Sequence, residues 1–94
     1  MKAYELLDSP EKWTTKVGQK DKDNNHVTIN DPSACKFCIY GAIRHCYSYR
    51  DTTKRIDRVL QELKFKDTRL LFLWNDSPER TFDDVRNLLI KLDI

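Results

Sequence analysis

Residues 69–81 run Arg69-Leu70-Leu71-Phe72-Leu73-Trp74-Asn75-Asp76-Ser77-Pro78-Glu79-Arg80-Thr81. The apolar part, Arg69–Trp74, is short and closed by turn residues. Such a run reads as a buried strand, with a helix as the alternative. As a strand it makes the chain an α+β domain, mainly helical, with a short hairpin or small sheet. On the far side of the turn, Thr81 and Asp84 have the spacing of a capping box. The helix they open carries Phe82, Val85, Leu88, Leu89 and Leu92 on one face.

Upstream, Ile56, Val59, Leu60 and Leu63 recur at helical spacing, which predicts an amphipathic helix capped by Asp51 or Thr52. Ser33 precedes a helical segment expected over 34–48. Residues 16–30 read as a hairpin, with Val27-Thr28-Ile29 as its strand and Asp23-Asn24-Asn25 as its turn. Ser9-Pro10-Glu11 is a helix-start signal, but Thr14, Thr15, Val17 and Gly18 keep that helix short. Trp13 is expected to anchor it in the core, and residues 2–8 suit one preceding helical turn. The 94 residues are read as a single domain, small enough that a homo-oligomer is expected.

Seventeen basic residues against fifteen acidic ones give a formal net charge of +2. That balance argues against general nucleic-acid binding, which favours a marked basic excess. No apolar run approaches the ~18 residues of a membrane span. The first residues carry acids and lack a signal core, so a cytoplasmic protein with no membrane attachment is expected. Three cysteines are then expected as thiols.

Cys35 and Cys38 have the spacing of zinc or redox sites. The other ligands available are Cys46, His45 and His26. On one helix Cys35 and Cys46 would lie ~16 Å apart along the axis, so no metal site is expected. Asp21, Asp23 and Asn25 mimic a calcium loop, but His26 and Pro32 stand where glycine and glutamate are required. No cofactor is expected. Cys35 and Cys46 read as small core residues.

Within the expected 34–48 helix, Ala34, Cys38, Gly41, Ala42 and His45 share one side, where small residues permit close approach by another element or a ligand. Cys38 and His45 stand ~10 Å apart along the axis, too far for a thiolate–imidazole pair. A catalytic alternative therefore uses Cys38 as nucleophile, His26 as base and Asn75 or Asp76 as orienter. The main expectation is a ligand site. Arg80 and Thr81 would hold an anion at the last helix's N-terminus, Asn75 and Asp76 would read polar groups, and Trp74 would stack. Cys38 and Gly41 would complete it if the Trp74 bend and the glycine side of the cysteine helix lie together. The same turn residues also serve as ordinary turn chemistry, and Asp83 and Asp84 would repel an anion. Tyr40, Tyr47 and Tyr49 with Arg44 and Arg50 suit base stacking or a subunit contact.

Trp13, Asp21 to Val27, Phe37-Cys38-Ile39-Tyr40-Gly41-Ala42-Ile43, Trp74-Asn75-Asp76, Arg80-Thr81, Val85 and Leu88-Leu89 form a pattern along nearly the whole chain. In this the chain resembles a domain-of-unknown-function family of small proteins from bacteria and their phages. The family often has glycine where this chain has Asn24-Asn25, and Cys35 and Cys46 fall outside its pattern. The resemblance implies no activity. It implies an accessory or counter-defence protein that binds a nucleotide-like anionic ligand or a host protein, in the host cytoplasm if phage-encoded. A cysteine-dependent hydrolase or transferase and a structural protein–protein module are the alternatives.

Overall fold

Side-chain caps at Ser48, Asp67 and Thr81 decide where the last three helices begin. The computed structural model describes residues 1–94 as five helices and a two-stranded sheet. Helix α1 (Ala3–Leu6) is followed by a 3₁₀ turn at Pro10–Lys12, with Ser9 before it and proline first. Strands β1 (Gln19–Lys20) and β2 (Lys36–Phe37) pair antiparallel, Gln19 opposite Phe37. Then come α2 (Ile39–Cys46), α3 (Tyr49–Leu63), α4 (Thr68–Asp76) and α5 (Phe82–Lys91).

The core joins Ala3 and Leu7 to Phe37, Ile39, Ala42 and Ile43, then to Ile56, Val59, Leu71, Val85, Leu88 and Leu89. Helix α5 forms as its sequence specifies. Thr81 Oγ1 accepts from Asp84 N at 3.1 Å, and Asp84 Oδ2 accepts from Thr81 N at 3.0 Å.

Four expectations are corrected. The run Arg69–Trp74 is helix, because Asp67 caps it by accepting from the N–H groups of Arg69 and Leu70. The hairpin over 16–30 shrinks to a tight one at 19–27, without a strand over Val27-Thr28-Ile29. Asp21 Oδ1 accepts from Asp23 N and Asn25 N, Lys20 bridges His26, and Val27 N still donates to Gln19 O, but Thr28 and Ile29 add no strand. The partner of β1 is β2, so Cys35–Phe37 is extended and α2 starts at Ile39, with Cys38 rather than Ser33 before it. Ser33 instead closes a turn on Asp31. Finally, Ser48 caps α3, accepting from Asp51 N, in place of Asp51 or Thr52. No helix is long and apolar enough to cross a membrane.

Candidate functional site

The junction of α4 with the N-terminus of α2 is built on Asn75. This side chain is fully buried, with all of its hydrogen-bonding capacity used. Oδ1 accepts from Trp13 Nε1 at 2.9 Å and from Ile39 N at 3.0 Å. Nδ2 donates to Thr14 O at 3.2 Å and to Asp76 Oδ1 at 3.0 Å. One amide thus ties the Trp13 turn, the start of α2 and the end of α4 together. Trp13 has its anchoring role through this bond. Asn75 itself has no capacity left for a ligand.

Gly41 is occupied in a different way. A Cβ there would stand 2.0 Å from Gly18 O, so the two backbones touch only because residue 41 is glycine. Gly18 O also accepts from Cys38 N at 3.0 Å. The small-residue side of α2 therefore packs on the Gly18 segment and is closed to ligand at Gly41. Ala34 lies outside α2, which removes it from that face.

Beside this contact opens a cleft of about 240 Å³ lined by Lys16, Val17, Gly18, Cys38, Phe72 and Asp76. Asp76 Oδ1 accepts from Lys16 N at 2.8 Å, fixing the Lys16 backbone at φ 74°. Asp76 Oδ2 accepts nothing within the chain. Phe72 is partly exposed, and its ring meets Tyr40 at 5.3 Å. Cys38 is buried at the cleft floor, its Sγ accepting from Gly41 N at 3.3 Å. Burial pushes this thiol up from its ordinary pKa and the Asp76 charge adds to the rise, against the opposing Gly41 and Tyr40 N–H groups. That is the reverse of an activated nucleophile.

The structure brings Cys38 and Asp76 to one opening but leaves His26 outside it. His26 is exposed and bridges Lys20. The His45 ring packs against Phe37 at 4.7 Å between centroids, tilted by 45°. Cys35 is exposed, not a core residue, and Cys46 is partly buried, its thiol pushed up mainly by burial. No group of three or more His, Cys, Asp or Glu side chains is placed to hold a metal ion.

Arg80 and Trp74 engage each other and the backbone, and Thr81 pairs with Asp84. Arg80 Nε donates to Trp74 O at 2.9 Å, the guanidinium lies 4.1 Å from the Trp74 ring centroid, and Nη1 is 3.6 Å from Asp84. Thr81 is consumed by its cap. The Trp74 bend closes the end of α4 and sits apart from the cleft lining. Lys16, Val17, Gly18 and Phe72 were not legible as site residues. Lys16–Gly18 sat in the expected hairpin and Phe72 in the expected strand. The available signal was the Phe72/Asp76 spacing of i, i+4, which matters only once α4 is helical.

Residues 1–91 match the model of a family of unknown function, DUF6197. No curated protein and no solved structure matches the chain.

Proposed function

We propose a binding function for this chain, which belongs to the DUF6197 family of unknown function. It is a small non-enzymatic protein that takes a nucleotide-like anionic ligand into the cleft between Lys16–Gly18 and α4. The supporting observation is the gathering of a cation, an aromatic ring and a carboxylate at one opening. Lys16 makes no ion pair within the chain and offers its ammonium to a phosphate. Phe72 offers a face for a base, an interaction worth ~1–3 kcal/mol. Asp76 Oδ2 accepts from a base amino group or a ribose hydroxyl and keeps the phosphate toward Lys16. The cleft sits just below the ~300–1,000 Å³ of common ligand pockets, which favours a mononucleotide. The resemblance to small bacterial and phage proteins supports an accessory or counter-defence role, in which a nucleotide signal is withdrawn from its receptor.

Calorimetric titration with adenosine and guanosine monophosphates tests this. Lys16→Ala and Phe72→Ser are each expected to weaken binding about tenfold, which corresponds to ~1.4 kcal/mol. Arg80→Ala is expected to leave affinity unchanged. Absence of binding at millimolar nucleotide, or equal affinity in all three variants, would overturn the proposal.

The cysteine-enzyme alternative rests on Cys38 lining the cleft. It requires a thiol more reactive than a free one, and the shift at Cys38 runs the other way. Iodoacetamide labelling against pH separates the two, with exposed Cys35 as the internal reference. Cys38 is expected to label more slowly than Cys35 throughout. Faster labelling near neutral pH would revive the enzyme.

A further inference from the structure

Helix α4 has an outer side that the chain covers only along one edge, where Phe72 meets Tyr40 and Asp76 accepts from Lys16 N. Leu73 is 68% exposed, and Leu70 and Phe72 are 37% and 39% exposed. Arg69, Phe72, Leu73 and Asp76 stand at i, i+3, i+4 and i+7, which makes one stripe of about two turns. The stripe is apolar in the middle and oppositely charged at its ends. The Arg69 side chain is 89% exposed, and its ion pair with Asp67, made from one nitrogen at 3.3 Å, leaves most of the guanidinium open.

We propose that this stripe joins two copies of the chain as an antiparallel twofold dimer. Reversing one helix against the other places position 69 opposite 76 and position 72 opposite 73. Two Arg69–Asp76 pairs then flank a centre made of two Phe72 and two Leu73 side chains. Such self-pairing is what a twofold interface requires of a single patch. A parallel arrangement would set arginine on arginine and aspartate on aspartate.

The helix dipole gives a second, independent reason. Arg69 lies in the first turn of α4 and Asp76 is its last residue. Each charge is at the end of its own helix that disfavours it, at ~0.3–1 kcal/mol apiece. Across an antiparallel contact each moves beside the favourable end of the other helix. The stripe is too short for the ~800 Å² per partner of a standard interface, so the dimer is a weak one. Phe72 and Asp76 also line the cleft, so a bound ligand and the dimer compete for these two side chains.

Sedimentation equilibrium from about 1 µM to 1 mM covers the range of weak association. The wild-type chain is expected to pass from monomer to dimer over that range, and Leu73→Glu to remain monomeric. Arg69→Asp and Asp76→Lys are each expected to be monomeric alone and to dimerise when mixed, because the unlike pair restores both ion pairs. Circular dichroism checks that each variant is helical. If Asp76→Lys fails to fold, Leu73→Glu and Arg69→Asp decide the matter. A wild-type chain monomeric at every concentration would assign the face to a different partner and overturn the dimer. So would a dimeric Leu73→Glu, or a mixture of folded charge variants that stays monomeric.

Discussion

The two sides of helix α4 differ in how their polar groups are spent. On the inner side, Leu71 and Asn75 are fully buried, and Asn75 forms all of its hydrogen bonds inside the chain. On the outer side, Arg69, Phe72, Leu73 and Asp76 leave a cation, two apolar side chains and a carboxylate oxygen without full partners. A polar side chain can therefore be conspicuous in a sequence for opposite reasons. Asn75 is an architectural part, and its neighbour Asp76 is an available one. Adjacent positions on a helix point ~100° apart, and that rotation separates the two roles.

The sharpest test of the inner side is Asn75→Leu, which keeps the volume and removes the bonds. Trp13 Nε1, Ile39 N and Thr14 O would all lose their partner. At ~1–3 kcal/mol for each polar group stranded in the interior, the expected loss is about 4 kcal/mol. A domain this small has about 5–15 kcal/mol in total, so the variant should be barely folded. Urea unfolding measures it. A loss below about 1 kcal/mol would mean the amide only fills space.

Gly41→Ala comes next. A methyl group gains about 1 kcal/mol in helix propensity but must displace the Gly18 carbonyl, a backbone atom with no freedom of its own. The net expectation is a loss of about 3 kcal/mol by the same unfolding assay. Gly18→Ala is the matched control, because a Cβ there meets nothing within 4 Å. Equal effects of the two would show that backbone contact is not what Gly41 provides.

Arg80→Ala probes the bend. It removes one bond to a carbonyl, a guanidinium stacked on Trp74 and a partly exposed ion pair. The expected loss is about 1–2 kcal/mol, mostly from the bond and the stacking. Sequence alone made Arg80 the natural anion clamp. The fold shows why that inference was open to error, since an arginine six residues after a helix-ending carbonyl can reach back and cap it.

The parts of the fold that were legible had local causes. Helix α5 announces itself by Thr81, Asp84 and three buried residues at helical spacing. Helix α3 does so by Ile56 and Val59. Helix α4 was misread because an apolar run of this length fits either period, and the deciding residue, Asp67, stood outside the run. Strand β2 was hidden because its partner lies far back in the chain, at Gln19–Lys20, and neither strand has a residue to spare for a pattern. The cleft was illegible for the same reason, since positions 16–18, 38, 72 and 76 meet only after the sheet and α4 are in place.

The smallest effect is the most telling for the outer side. Leu73→Ser exchanges an exposed leucine for a residue of slightly lower helix propensity, so the isolated chain should change by no more than about 0.5 kcal/mol. The wild-type chain, if it pairs through α4, gains stability with concentration, because association draws on the folded form alone. Its unfolding midpoint should rise between dilute and concentrated samples while that of Leu73→Ser stays fixed. Two curves that coincide when dilute and separate when concentrated would place the role of Leu73 between molecules. A difference already present in the dilute sample would place Leu73 with Leu71 and Asn75, and the contrast between the two sides of α4 would fail.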